Sequence, residues 1–294
     1  MLLAHLGTGV FAPLQLFGVT FFAAIYAIRL VSLGQQGRPI PGWRVVCYFS
    51  GIALIMIAFV SPLGHVGEEL LWVHMVQHLV IGDIAALLIV LGLTRSVLAP
   101  VLAIRFFDRL RVLGLPYIAL PLWIANLFIW HIPVLYEGAV NHSGIHALEH
   151  ACFIGFGIAL WMPVAGPLPV PRWFGGGAQV GYTVIARLAG AVLGNIFMWS
   201  GTVLYPVYLT GDRYWGISPV TDQGIAGIVM LIESGIVTLA VLAWAMLRWA
   251  ERDSEKQRLL DLADSLGVPL DDARADRAVA SGHGARLEER LRSS

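Results

Sequence analysis

The hydrophobic residues of the chain are gathered into seven long runs, separated by short segments that are rich in Gly and Pro, such as 37–42 and 166–171. About 20 apolar residues in a helix, at a rise of about 1.5 Å per residue, cross the roughly 30 Å hydrocarbon core of a bilayer. The pattern therefore predicts seven transmembrane helices, near residues 11–33, 43–60, 66–93, 116–136, 144–165, 180–204 and 222–249.

Polar residues are concentrated at the C-terminal end, where 250–294 hold 18 of the 38 charged side chains. This contrast divides the chain into a membrane domain, 1–249, and a polar tail, 250–294, which we expect to form one or two small helices in water. A further segment, 101–111, mixes Arg and Asp with Leu and Phe, a composition typical of a helix lying in the membrane interface. The predicted fold class is all-α, an integral membrane bundle of seven transmembrane helices.

The overall composition supports this class. Hydrophobic residues make up 57% of the 294 and charged residues 13%, whereas a soluble domain carries roughly 25% charge. The net charge is zero and the chain has no basic block, which argues against a nucleic-acid partner. Cys47 and Cys152 lie far apart in apolar runs, so we interpret them as small buried hydrophobes rather than a disulfide or metal ligands. The lipid bilayer is the expected surrounding of the membrane domain.

Arginine is distributed unevenly among the connections between the predicted helices. The connections after the first, third and fifth helices, and the segment after the seventh, contain or adjoin Arg. By contrast, 1–12, 61–68 and 137–143 contain neither Arg nor Lys, and 205–221 contains only Arg213. Basic residues near helix ends remain on the cytoplasmic side. The bias predicts that the N-terminus lies outside and the C-terminus lies in the cytoplasm.

The histidines gather on one side of this topology. Seven of the nine fall in its outer half: His65, His74, His78, His131, His142, His146 and His150. Two pairs have a spacing of four residues, 74 with 78 and 146 with 150, so each pair projects from one helix face. Because a metal offsets the desolvation of buried imidazoles, two such pairs predict a shared metal site near the outer face. Imidazole suits copper, zinc, iron and nickel, and the residues alone do not separate copper from zinc.

Carboxylates extend the candidate site. Asp222 opens the predicted seventh helix from outside, where capping of that helix is the alternative role. Glu233 lies on the same helix, only about 20° around its axis from Asp222. Glu149 neighbours His150 and could orient an imidazole by accepting a hydrogen bond from its second nitrogen. The candidate metal ligands are His74, His78, His131, His146, His150 and Asp222, with His65, His142, Glu149 and Glu233 as weaker members.

Other conspicuous side chains receive structural interpretations. Asp83 lies roughly 140° around its helix from His78, so it is not assigned to the metal site. Met75 and Met230 are interpreted as core residues rather than as soft ligands. Several large aromatic residues near the outer helix ends are interpreted as an interfacial belt, namely Trp72, Trp123, Trp130, Tyr136, Trp199 and Tyr205.

Four motifs in combination resemble one protein family. They are His74-Met-Val-Gln-His78-Leu-Val, Trp130-His131-Ile-Pro133 with Tyr136, His146-Ala-Leu-Glu-His150 leading to Trp161-Met-Pro163, and Asp222-Gln-Gly-Ile-Ala-Gly227. Over roughly residues 10–250 the chain is similar to the multi-span, CtaG-type cytochrome c oxidase assembly factors. Two positions depart from the family pattern: Gly224 stands where Gln is common, and Glu233 stands where Pro or Gly is expected.

The resemblance implies a multi-pass protein of the bacterial plasma membrane that is not an enzyme. It implies that the chain assists assembly of a haem–copper cytochrome c oxidase by supplying copper to one of its subunits. The implied copper ligands are His74, His78, His131, His146, His150 and Asp222, and zinc is a possible alternative metal.

Two other functions stay open at this point. One is a haem-binding electron carrier that uses paired His from facing helices as axial ligands. The other is a membrane metalloenzyme with a His-ligated zinc or iron ion, although the sequence contains no HExxH motif.

Overall fold

The computed structural model describes residues 11–280 and 283–293, so His5 lies outside the described residues. In these ranges the regular structure is helical, which confirms the predicted all-α class. The chain forms two compact units, of which the first ends at Ile236 and the second begins at Val237. The residues of the candidate site belong to the first unit.

Fifteen α-helices lie within the described ranges. The first unit contains α1 (Phe11–Gln35), α2 (Gly42–Val60), α3 (Pro62–Gly67), α4 (Leu71–Leu79), α5 (Ala86–Gly92), α6 (Arg95–Leu102), α7 (Arg105–Leu110), α8 (Pro116–Trp130), α9 (Pro133–Asn141), α10 (Ser143–Ala165), α11 (Gly177–Trp199) and α12 (Leu209–Trp215). The remaining helices are α13 (Pro219–Ser265), which begins in the first unit, α14 (Asp272–Ala280) and α15 (Gly284–Ser293). A π-helical stretch, Val80–Ala85, joins α4 to α5.

Among the described residues, six helices are long and apolar enough to cross a membrane: α1, α2, the joined helix Leu71–Gly92, α10, α11 and α13. The α8 helix meets this test only together with the segment Arg105–Gly114, from which it bends by 78°, so the number of spans is six or seven. Large apolar side chains are exposed on these helices, for example Val46 at 65% and Ile236 at 63%. Exposed apolar surface on long apolar helices is suited to lipid rather than water.

Three predicted segments differ from the observed helices. The predicted helix 116–136 breaks after Trp130, because Pro133 disfavours helical backbone at Ile132, which is extended with ψ 126°. The α8 helix alone is about 22 Å long at 1.5 Å per residue, which is short of the hydrocarbon core. The predicted helix 222–249 continues to Ser265, so the polar residues from 250 onward begin inside α13. The predicted interfacial segment 101–111 is divided between α6, α7 and a short turn.

The second unit has a small apolar core of its own. Leu259 and Ala263 of α13 cluster with Val279 of α14 and with Leu287 and Leu291 of α15. The spacing of four residues within α13 and within α15 places each pair on one helix face. The small helices predicted for the polar tail are therefore α14 and α15.

A close crossing brings α10 against the π-helical stretch. A Cβ atom added to Gly157 of α10 would lie 1.9 Å from the carbonyl oxygen of Gly82. Ile81 and Ala85 of the same stretch are fully buried. A π-helical insertion of this kind occurs often at functional sites. Here it lies directly after α4, so the crossing sets α4 and α10, the two helices that carry paired histidines, side by side.

Candidate metal centre

Four imidazoles from α4 and α10 face one another in the first unit. Within each helix the ring centroids of the paired residues are 4.3 Å apart for His74 and His78 and 4.2 Å apart for His146 and His150. Between the helices, the separations are 5.4 Å for His74 and His146 and 5.3 Å for His78 and His150. The four-residue spacing on each helix thus places two pairs of rings on opposed faces, in one compact cluster.

A carboxylate joins three of these imidazoles. One ligand atom each from His74, His78, His146 and Glu149 lies within 4.8 Å of every other one. The Glu149 Oε2 atom is 3.9 Å from Nε2 of His78. Ligands on a shared tetrahedral ion at about 2.0–2.1 Å are separated by about 3.4 Å. Binding of one ion therefore requires the most distant of these ligand atoms to approach each other by up to about 1.4 Å.

The polar atoms of this cluster are buried and lack hydrogen-bond partners among the described residues. Of His74, only Nε2 is unpartnered, because the Gly67 carbonyl accepts a hydrogen bond from the other ring nitrogen. An unpartnered buried polar group costs roughly 1–3 kcal/mol, and a bound cation would offset that cost. The unpartnered atoms are Nε2 of His74 and His146, both ring nitrogens of His78 and His150, and both carboxylate oxygens of Glu149.

Asp222, predicted as a metal ligand, contacts the N-terminus of α4 instead. Its carboxylate accepts hydrogen bonds from the backbone N–H of Leu71 at 2.7 Å and of Trp72 at 3.1 Å. These N–H groups have no partner within their own helix, and the helix dipole stabilises a negative charge at this end. Asp212 of α12 donates a hydrogen bond to Asp222, and burial together with that carboxylate raises the pKa of Asp212 to about 7. Asp222 thus positions α4 and lies outside the four-residue group.

His131 follows α8 and is held by that helix. Its Nδ1 atom lies 2.6 Å from the carbonyl oxygen of Leu127, and its Nε2 atom lies 3.4 Å from Sδ of Met75. The Tyr205 hydroxyl donates a hydrogen bond to the His131 carbonyl at 2.7 Å. The ring is buried and faces Met75, the residue that follows His74 on α4. It therefore lies next to the four-residue group without belonging to it.

Residues 24–252, most of the chain, match the model of a protein family described as cytochrome c oxidase caa3 assembly factor, or Caa3_CtaG. The chain belongs to this family. The resemblance inferred from the four sequence motifs is thereby confirmed. Membership in this family, together with the apolar helices, supports a location of this Caa3_CtaG protein in a membrane.

Two curated relatives of this Caa3_CtaG chain are the uncharacterized protein Mb0105 of Mycobacterium bovis and the uncharacterized protein MT0111 of Mycobacterium tuberculosis. Each is 22% identical to it over 245 residues, an alignment that covers 78% of this chain and 37% of the relative. The chain thus spans little more than a third of the length of these relatives. No solved structure matches it.

Glu233 of this Caa3_CtaG chain, a weaker predicted ligand, belongs to a second cluster. Its Oε1 atom accepts a hydrogen bond from Nη1 of Arg187 at 3.0 Å. Arg187 also pairs with Asp83, whose Oδ1 atom accepts a hydrogen bond from the Trp161 indole at 2.7 Å. Asp83 does not belong to the four-residue group. The structure brings Glu233 to an arginine on α11 and not to the four-residue group.

Arg187 is not among the predicted site residues. It is the lone basic residue of the predicted helix 180–204, and it is buried in the structure. An ionisable residue in a span pairs with another one or lines a polar pathway. The signal in the sequence was therefore present, since the predicted third and seventh helices contain the acidic residues Asp83 and Glu233.

His65 and His142, the remaining weaker candidates, are exposed and lie outside the four-residue group. His142 donates a hydrogen bond from Nδ1 to the Gly138 carbonyl, at 3.0 Å. This contact satisfies a backbone carbonyl in the last turn of α9, so its role is local to the end of that helix. The structure does not bring either residue to the imidazoles of α4 and α10.

Tyr136 and Tyr208 pack against the His74 ring, and Tyr205 packs on Tyr136. Tyr136 and Tyr205 are buried rather than interfacial, with ring centroids 4.1 Å apart. The hydroxyls of Tyr136 and Tyr208 are 2.9 Å apart, and the Tyr136 ring lies 5.3 Å from the His74 ring. Of the predicted belt, Trp199 is strongly exposed, at 77%. The sequence shows where aromatic residues occur along a helix, but not which of them face inward.

Proposed function

We propose that this Caa3_CtaG protein binds a copper ion between α4 and α10 and supplies it to a subunit of a haem–copper cytochrome c oxidase. The proposed ligands are His74, His78 and His146, with Glu149 as the fourth and His150 beside them. On the topology that the arginines predict, this site lies on the extracytoplasmic side of the bacterial plasma membrane. Copper is the cargo in this proposal, and the protein is an assembly factor rather than an enzyme.

The observation that carries the proposal is the set of unpartnered lone pairs on α4 and α10. Buried polar groups are ordinarily hydrogen-bonded, and a cluster of several that are not requires a partner. A ligand set of three imidazoles and one carboxylate suits copper and zinc better than calcium or magnesium. Membership in an oxidase assembly family supports copper rather than zinc, because a haem–copper oxidase needs copper during its assembly.

The ligand set also suits release of the ion. No cysteine is present in the four-residue group, so the site lacks the thiolates that hold soft metals most tightly. The ligand atoms are up to 4.8 Å apart, which exceeds the roughly 3.4 Å of a closed tetrahedral site. A site that must close around its ion can reopen when a subunit with better-placed ligands competes for it.

Metal analysis of the purified full chain tests this proposal. The protein is loaded with copper in detergent, washed with a weak chelator, and analysed for copper and zinc by mass spectrometry. The double variant His74→Ala with His146→Ala removes one imidazole from each helix and is expected to lose the bound copper. The matched control is His65→Ala with His142→Ala, which removes two exposed imidazoles and is expected to retain it.

Equal copper and zinc contents in the wild type and the His74/His146 double variant would refute the proposal. A Soret absorption band in the purified protein would instead support the haem carrier. Bound iron or zinc accompanied by hydrolytic or oxygenase turnover would support the metalloenzyme.

A further inference from the structure

A small cavity lies next to the four-residue group, with His78 in its wall. Its volume is about 30 Å³, enough for one water molecule or one metal ion. The polar and sulfur-containing side chains that line it are Met75, His78, Asp83, His131 and Met230. All five are buried, and apolar side chains form the rest of the wall.

The contact between His131 and Met75 lacks a proton donor. The Leu127 carbonyl can only accept, so Nδ1 at 2.6 Å from it carries the proton of the neutral imidazole. The Nε2 atom therefore presents a lone pair to the Met75 thioether, which is also an acceptor, across 3.4 Å. Two acceptors that face each other in a buried place are best satisfied by a cation that both can bind.

Their separation fits a shared metal ion. With metal–nitrogen and metal–sulfur distances of roughly 2.0 and 2.3 Å, tetrahedral ligands lie about 3.5 Å apart. The observed Nε2–Sδ distance is 3.4 Å. Met230, on α13, lines the same cavity and offers a second thioether. Thioether and imidazole together form a softer ligand set than the imidazoles and carboxylate of the first site, and soft ligands select monovalent copper.

We propose that His131, Met75 and Met230 form a second copper site, selective for the monovalent ion, next to the first. This inference rests on the proposed function, because it takes the first site as the entry point of copper. His78 belongs to the four-residue group and also lines the cavity, so it can bind the ion in either position. Movement of copper between the two sites is then an exchange of ligands around His78, with no change of oxidation state.

The charges around the cavity favour a cation of low charge. The three proposed ligands are neutral, so they leave the charge of the ion uncompensated. Asp83, which lines the cavity, belongs with Arg187 and Glu233 to a cluster of one basic and two acidic side chains. The cost of an uncompensated charge in a medium of low dielectric rises with its size, so the cavity beside this cluster suits a monovalent ion better than a divalent one.

X-ray absorption at the copper edge of the full chain in lipid nanodiscs, loaded anaerobically with monovalent copper, tests the second site. The wild type is expected to show a sulfur scattering shell at about 2.3 Å in addition to nitrogen. The variant Met75→Leu with Met230→Leu is expected to lose the sulfur shell and the second copper ion while keeping its zinc capacity. The control Met162→Leu replaces a buried methionine of α10 that does not line the cavity, and it should keep both.

Leucine conserves the volume of methionine, so these variants should fold. A second measurement avoids substitution altogether. Protein labelled with selenomethionine should show copper–selenium scattering in place of copper–sulfur scattering. Absence of sulfur and selenium shells in the wild type, or a sulfur shell unchanged by Met75→Leu with Met230→Leu, would overturn the second site. The His74/His146 variant separates the two proposals, since unchanged nitrogen scattering and copper content in it refute the first site whatever the sulfur shell shows.

Discussion

Removal of the buried guanidinium of Arg187 should destabilise the first unit strongly. Arg187 lies between the carboxylates of Asp83 and Glu233, with its Nη1 atom 3.0 Å from Oε1 of Glu233. Asp83 and Glu233 are also within hydrogen-bonding reach of each other. Arg187→Met keeps most of the side-chain volume but leaves two carboxyl groups together in the membrane interior without a cation.

The expected size of the effect follows from the burial of this cluster. Removing one partner of a buried ion pair costs roughly 3–5 kcal/mol, because it leaves uncompensated charge. A loss of 1 kcal/mol lowers the melting temperature of a chain of comparable size by roughly 2–4 °C. The melting temperature should therefore fall by on the order of 10 °C. The triple variant Asp83→Asn, Arg187→Met, Glu233→Gln removes the charges together and should recover much of the loss.

Thermal unfolding of the detergent-purified protein, followed by size-exclusion chromatography after heating, measures this shift. The matched control is Arg213→Met, since Arg213 is exposed and its Nε atom donates to the Leu209 carbonyl. That control should change the melting temperature by less than about 2 °C. An Arg187→Met protein with the melting temperature of the wild type, or a triple variant that melts below Arg187→Met, would contradict this expectation.

Three further predictions follow from other parts of the structure. Gly157→Ala should destabilise the protein, because the added Cβ would lie 1.9 Å from the Gly82 carbonyl oxygen, whereas Gly155→Ala, with nothing within 4 Å, should be neutral or stabilising in the same melting assay. Because the pKa of Asp212 is raised to about 7 in the fold, above its usual value of about 4, its protonated form stabilises the folded protein. The melting temperature should fall as pH rises between those values, and Asp212→Asn should flatten that dependence while still donating to Asp222. Finally, the arginine bias predicts a cytoplasmic C-terminus. A fluorescent protein fused to that end should therefore fluoresce in bacterial cells, and a periplasmic reporter fused there should be inactive.

The hydrophobic pattern predicted the helices well wherever a single run was long and uninterrupted. The runs near 11–33, 43–60 and 144–165 correspond closely to α1, α2 and α10. The pattern failed at 116–136, because hydropathy does not register the backbone restriction imposed by Pro133. It also gave no sign of the π-helical stretch, since an extra residue in a helical turn changes which face a side chain lies on without changing the hydrophobicity of the run.

The paired histidines were predictable because their spacing is a local property of a helix. The partners of Asp222 were not predictable. A carboxylate at the start of one helix can cap that helix or another one, and only the packing of α13 against α4 decides between these two roles. Burial of Tyr136 and Tyr205 likewise depends on how helices rotate against one another, which a single sequence does not fix. The pairing of Arg187 was within reach, because charged residues in separate apolar runs have few partners other than one another.

The ion cluster, the glycine crossing and the metal centre are mechanically connected. The contact of Gly157 with Gly82 lies about 6 Å along the helix from His78 and about 10 Å from His150, at 1.5 Å per residue. The Trp161 indole and Arg187 hold Asp83 immediately beyond that contact. The separation of the facing imidazoles is thus set by the Gly157–Gly82 contact and by the contacts of Asp83, none of which involves a proposed metal ligand. Loosening either contact should open the rings, so Gly157→Ala and Arg187→Met are expected to lower copper retention even though every histidine remains, while their controls retain it.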